Sequence, residues 1–322
     1  MSSEDGHSDP SPRPSRRIRH WSTVVGAIIG LTGAAFVAQA LYRNRSEISQ
    51  ALSEAQPSLL LVALAGFGVA MTGIGLAWRS SVQVLGGDIG IVSSLRGYFV
   101  GQLGKYVPGG IWAVVGRAEW ARSERVPASV AYSSVFLSIG TAFLAAIMLS
   151  AIVLPVASFA DSGGDKRYLF VLGLLPLGFA LLNPIVLEFG LSLARKITGR
   201  DLEIRIPSWR ASSIIVVRQL PSWFLIGTAN WVIASAFGAQ GDLANIIFAA
   251  TTSWVIGFIA LPVPGGIGVR EAAFVALATS LQPGVAAIVA VTARLATIIV
   301  DAVGAAAMTV LVGRQTRHSE RR

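Results

Sequence analysis

The sequence predicts an all-α polytopic membrane protein: six full transmembrane helices plus two oppositely oriented re-entrant helical hairpins, related as an inverted repeat. Three observations carry that prediction. Of the 322 residues, 53% are hydrophobic and only 13% charged, against roughly 25% charged in soluble domains. The pentapeptide Val-Pro-Gly-Gly-Ile occurs twice, at Val107–Ile111 and Val263–Ile267. Lys and Arg gather in alternate segments between apolar runs, which is the orientation signal of a multi-pass chain.

The elements follow in order. Met1–His20, rich in Ser, Pro and Arg, reads as a disordered basic tail. A membrane domain then runs from residue 21 to 313. Its first span is Trp21–Tyr42, where the Ala38–Ala40 spacing imitates a signal-peptide cleavage site but belongs to an uncleaved helix. Gly26 and Gly30 form a helix-packing GxxxG. Pro57–Trp78 is the second span. Ile91–Val107 and Ile111–Ala121 are the arms of hairpin 1, about 91–121. Pro127–Val156, Tyr168–Leu193 and Ser212–Phe237 are the next three spans. Leu243–Leu261 and Gly268–Leu281 are the arms of hairpin 2, about 243–281. Val285–Val312 is the last span, and residues 314–322 form a basic tail.

The hairpin reading rests on length. A spanning helix needs ~20 apolar residues to cross ~30 Å of hydrocarbon, and Ile111–Ala121 and Gly268–Leu281 fall short of that. Leu243–Leu261 could span by itself, which leaves the depth of the second hairpin open. Each pair of arms returns the chain to the side it came from, so orientation can be read from the remaining loops. With the N-terminus inside, 19 of the 26 Lys and Arg lie in inside segments and 4 in outside loops. The expected location is therefore the cytoplasmic membrane, with both termini cytoplasmic.

The formal charge of +9 belongs to this orientation signal. The basic residues lack the aromatic interleaving of single-strand binders, so no nucleic-acid partner is expected. There is no Cys, and His7, His20 and His318 all lie in the polar tails. Thiolate chemistry and a His-based metal site within the membrane are thereby excluded. Neither a GxxxxGK[ST] phosphate loop nor a G-x-S-x-G elbow occurs. No cofactor, metal or catalytic residue is expected.

The repeat explains itself physically. Pro108 and Pro264 stop the incoming helices. Gly109, Gly110, Gly265 and Gly266 permit tight reversal and leave backbone bare, tolerable at membrane depth only against protein or water. With the copies aligned, Gly101 falls on Gly257, and Arg117 and Glu119 find looser counterparts in Arg270 and Glu271. Three full spans separate the copies, so the hairpins enter from opposite faces, as in transporters built on inverted repeats. The helices leaving the tips would aim their N-termini into a shared cavity, where partial positive charge and free N–H groups suit an anion such as phosphate.

Ionisable residues at such depth point to function. Lys105 and Arg117 flank the first tip, and Arg270 and Glu271 follow the second. Arg218 lies within the fifth span. Arg294 and Asp301, seven apart, share one face of the last helix. The competing interpretation is that Arg96, Arg117 and Glu119 snorkel to headgroups, that Arg294 and Asp301 form a packing network, and that Glu188 is interfacial.

The segments GQLGKYVPGGIWAVVGR and LPVPGGIGVREAAF resemble the two signature stretches of the lysylphosphatidylglycerol synthase transmembrane-domain family, also called flippase-like, over roughly Leu95 to Val312. The resemblance implies an integral membrane protein that moves a lipid between leaflets. In the best-known type that lipid is an aminoacylated phospholipid; other members are associated with polyprenyl-linked sugars and cell-envelope glycans. The lysyl-lipid synthases carry a soluble aminoacyl-transferase domain after the membrane region, whereas this sequence ends ten residues after its last span, so lysyl transfer is not expected of it. The expected function is translocation, without enzyme chemistry, of a phosphate-containing lipid or polyprenyl-linked glycan. Lys105, Arg117, Arg270 and the tips Pro108–Gly110 and Pro264–Gly266 would bind the phosphate. Glu271 and Asp301 would position the cations or bind a coupling proton. The alternative is a non-transporting membrane anchor or regulatory subunit that partners a cell-envelope glycosyltransferase. A membrane-embedded transferase ranks last, because neither an Asp-x-Asp nor a His/Cys signature is present.

Overall fold

The computed structural model describes residues 38–39, 42–43, 45–107, 111–162, 180, 183–185, 188, 205–259 and 266–319. Most of the predicted first span, its GxxxG pair, most of the span 168–193, the tip Pro108–Gly110, and Pro264 and Gly265 of the second tip lie outside these residues. Among the described residues the secondary structure is helical throughout.

The helices are α1 (Arg45–Ser53), α2 (Pro57–Val84), α3 (Ile91–Leu103), α4 (Trp112–Ser123), α5 (Ala128–Ser162), α6 (Trp209–Ala236), α7 (Leu243–Ile259), α8 (Val269–Leu277) and α9 (Pro283–Ser319). Local chemistry sets several boundaries. Pro57 opens α2 at a position where its missing N–H costs nothing. Ser208 caps α6 by accepting from the Ala211 amide. Asp242 Oδ1 does the same for α7, accepting from the Asn245 amide at 2.6 Å.

Length divides these helices into two groups. Pro57–Val84, Ala128–Pro155 and Pro283–Leu311 are long and apolar enough to cross a membrane. At 28 residues, α6 matches them in length, ~42 Å at 1.5 Å per residue, but it is more polar, with Arg218, Gln219, Ser222 and Asn230 in its middle. The helices around the repeated pentapeptide are shorter. α3 and α4 have 13 and 12 residues, α7 and α8 17 and 9, each below ~30 Å of helix. The two arms of each pair pack on each other. At the first tip the backbone of Gly104 lies so close to Trp112 and Ala113 that a Cβ would meet the Ala113 amide at 2.6 Å.

The partition of side chains is that of a protein in hydrocarbon. Leu61, Val62, Val69, Phe136, Val217 and Val303 are more than half exposed. Inside, polar groups pair between helices. The Trp78 indole donates to Ser134 Oγ at 3.2 Å and Gln219 Nε2 to Thr141 Oγ1 at 2.7 Å, and the Ser150 and Thr251 hydroxyls lie 2.7 Å apart. Where lipid is as apolar as leucine, packing and interhelical hydrogen bonds hold helices together. The chain is a membrane protein.

One helix organises the site. α9 packs against α3 of the first pair and α8 of the second, as well as α2 and α6. Both short-helix pairs therefore rest on the same rod.

Candidate functional site

Asp301 sits on α9 with none of its surface exposed. A carboxylate so placed is tolerable only if paired and hydrogen-bonded. Both partners come from one short segment. α3 ends in a 3₁₀ turn, Gly104–Tyr106, which directs two consecutive residues toward α9. Lys105 Nζ lies 2.6 Å from Asp301 Oδ2, and the Tyr106 hydroxyl donates to the same oxygen at 2.7 Å. The other oxygen, Oδ1, is buried and accepts no hydrogen bond among the described residues. The Lys105 side chain keeps 24% of its surface exposed, whereas the Asp301 side chain keeps none.

Two turns back along α9, Arg294 faces the second pair. Its Nε lies 3.9 Å from Glu271 Oε1, at the outer limit of an ion pair. Glu271 Oε2 accepts from the Gly268 amide at 2.6 Å. Glu271 thus caps the first turn of α8, where a carboxylate also meets the positive end of the helix dipole. Gly268 is in the left-handed region, φ +82°, a conformation that suits glycine at this N-cap. Arg270, Glu271 and Arg294 line a cavity of about 30 Å³ together with Asn230, Ser253 and Thr297, space for a water or two. The three neutral residues each donate to a carbonyl of their own helix: Asn230 to Ile226, Ser253 to Ala250, Thr297 to Ala293.

The repeat reappears as a packing device. A Cβ on Gly101 would meet Arg117 Cγ at 2.5 Å, and one on Gly257 would meet Arg270 Cβ at 2.9 Å. In each pair, the glycine six residues before the shared valine admits the arginine that follows the tip. Gly266 completes the second contact: its φ is +66°, and a Cβ there would sit 2.8 Å from the Gly257 carbonyl oxygen.

The structure therefore gathers Lys105, Arg270, Glu271, Arg294 and Asp301 around α9. Arg270 lies within Coulomb range of Arg294, Glu271, Tyr106 and Asp301, and Lys105 within range of Arg270 and Arg294. Arg117 stands one layer back. It is buried, donates from Nε to the Ala113 carbonyl at 3.2 Å, and has its guanidinium carbon 5.8 Å from the Tyr98 ring centroid. Arg294 and Asp301 share a face, as their spacing predicts, but each serves a different helix pair. Arg218 is exposed and donates to Ser80 Oγ at 3.4 Å. Arg96 lies 4.6 Å over the Trp120 ring, and Glu119 pairs with Arg122 and Tyr132 at an exposed edge; neither joins the cluster.

Sequence reasoning passed over Tyr106, although it stands next to Lys105 in the first signature segment. Its ring stands between the first pair and α9: Lys105 Nζ is 5.1 Å and the Arg294 guanidinium carbon 6.0 Å from its centroid. Asn230, Ser253 and Thr297 gave no signal beyond being polar in apolar runs.

Around α9, three cations meet two carboxylates among the described residues. A buried cluster with surplus positive charge favours an anion, through charge-assisted hydrogen bonds from lysine and arginine. Comparison with curated proteins gives no match. A family model, the lysylphosphatidylglycerol synthase TM region, matches residues 23–304.

Proposed function

Because the chain belongs to the lysylphosphatidylglycerol synthase TM-region family, we propose that it moves a phosphate-bearing lipid or polyprenyl-linked glycan between the leaflets of the cytoplasmic membrane. The observation that carries this reading is the cluster, among the described residues, of Lys105, Arg270 and Arg294 with Glu271 and Asp301, assembled on one helix from both copies of the repeat. Lys105 and Arg270 grip the phosphate, one from each helix pair. Arg117 holds the first pair in shape from behind Tyr98. In the sequence, the backbone N–H groups of the repeated Gly-Gly pairs give the same anion a second set of donors. The protein works by binding and conformational change, without bond-making chemistry, and both termini face the cytoplasm.

The family supports a membrane domain, and the surplus cation supports an anionic headgroup. The lipid class follows from the family resemblance. In proteoliposomes holding a fluorescent phosphodiester lipid, an impermeant quencher reads how fast lipid crosses. Crossing accelerated by the wild type, and lost in Lys105→Ala and Arg270→Ala variants that keep native elution and melting profiles, is the expected result. Acceleration retained in both variants overturns the assignment of the site. No acceleration with any anionic lipid favours the anchor reading, in which exposed loops recruit a glycosyltransferase.

A further inference from the structure

We propose that Asp301 is an internal competitor for Lys105: it holds the ammonium when the site is empty, yields it to the headgroup phosphate, and reclaims it to expel the headgroup. This deepens the anion-binding reading of the same site and rests on it. Asp301 is a positioning residue, since it acts on the ligand through Lys105, its direct partner.

Three features motivate the assignment. The first is the pairing itself. A single oxygen, Oδ2, takes both Lys105 at 2.6 Å and the Tyr106 hydroxyl at 2.7 Å. The carboxylate thus occupies the ammonium in the way a phosphate oxygen would. The second is the difference in access between the partners. The Asp301 side chain is sealed while the Lys105 side chain keeps 24% of its surface, so of the two partners it is the lysine that an incoming anion can approach. The third is the hold of this contact on the fold. Lys105 and Tyr106 sit in the 3₁₀ turn that ends α3, beside the tip of the first pair. Moving Lys105 from Asp301 to a ligand releases one of the two bonds that this turn makes to Asp301 on α9. Occupancy and the position of the first pair are thereby linked, as a two-state switch requires.

The arrangement also answers a problem of release. Three cations and no acid would bind a headgroup too tightly for turnover. A transport site must bind well enough to load and weakly enough to empty. Asp301 lowers the affinity by offering Lys105 an alternative partner, already in place. Tyr106 sets how strongly: its hydroxyl shares the charge on Oδ2, so it softens the grip of Asp301 on Lys105. Glu271 does not duplicate this role, because its Oε2 is committed to the Gly268 amide.

Two substitutions push the system in opposite directions. Asp301→Asn removes the competing charge, and the Kd for dihexanoyl phosphatidylglycerol should fall by about tenfold or more while lipid crossing in proteoliposomes slows. Tyr106→Phe leaves Lys105 as the sole partner of Oδ2, so the Kd should rise. Binding is measured on the purified full chain by calorimetry, and crossing by the quencher assay. A merely structural Asp301 predicts weaker binding and slower crossing together in Asp301→Asn. That outcome, or an unchanged Kd, overturns the proposal while leaving the phosphate site standing if the wild type binds the probe. If Asp301→Asn fails to fold, a fall or no change in Kd for Tyr106→Phe overturns it equally. Failure of the wild type to bind the probe at all overturns both readings.

Discussion

Gly257→Ala is the sharpest single perturbation of the repeat. The added methyl would stand 2.9 Å from Arg270 Cβ, whereas carbons rest at about 3.5–4.0 Å. The shortfall is therefore about 0.6–1.1 Å. Arg270 Cβ is fixed to the backbone of α8 and cannot rotate away, so α8 itself must retreat from α7. Overpacking of this kind costs about 1–3 kcal/mol. The retreat also carries Glu271 away from Arg294, a pair already at 3.9 Å. Domains of 150–250 residues lose roughly 2–4 °C of melting midpoint per kcal/mol, so a fall of several degrees is expected, with lipid crossing reduced further than stability. Tryptophan fluorescence in detergent reads the midpoint, with all variants heated at one rate because membrane proteins commonly unfold irreversibly. Gly68→Ala is the control. Nothing lies within 4 Å of its added methyl, and replacing a mid-helix glycine gains roughly 0.5–1 kcal/mol. A Gly257→Ala protein that melts and transports like wild type would refute the idea that this glycine exists to seat Arg270.

Two further predictions concern capping and topology. Glu271→Gln keeps an oxygen for the Gly268 amide and should melt near wild type, whereas Glu271→Ala loses the cap and about 1 kcal/mol; equal midpoints would remove the capping role. In intact cells an impermeant thiol reagent should label Ser162→Cys and leave Ser319→Cys unlabelled, since the chain has no native cysteine; the reverse pattern would overturn the N-in, C-in orientation.

Much of this architecture is written in local patterns. Apolar runs of spanning length mark α2, α5 and α9 because burial in hydrocarbon demands an unbroken stretch. The repeated pentapeptide marks two pairs of short helices because Pro followed by two glycines removes both a donor and the backbone restraint a helix needs, whereas the lone Pro155 and Pro221 stay inside α5 and α6. The alignment of Gly101 with Gly257 finds its meaning in the two Gly–Arg contacts. Partner choice was not legible. A spacing of seven positions puts Arg294 and Asp301 on one face, but which side chain each meets depends on helices distant in sequence. Glu271 carries a cap that only the left-handed Gly268 beside it makes necessary. Tyr106 was hidden by its aromatic ring, which reads as apolar until its hydroxyl is seen on Asp301. Arg218 read as buried because it follows an apolar run, yet its helix turns that position outward.

The two helix pairs are held to form one anion site rather than two. A double-mutant cycle on the binding of dihexanoyl phosphatidylglycerol separates these cases, using Lys105→Gln from the first pair and Arg270→Gln from the second. Each lost charge-assisted contact should weaken binding by about 1.5–3 kcal/mol, roughly 10- to 150-fold. With both residues on one phosphate, the double variant should lose clearly less or more than the sum, by 0.5 kcal/mol or more as an approximate threshold for coupled residues. Strict additivity, or a wild-type Kd in either single variant, would contradict a site shared between the two halves of the repeat.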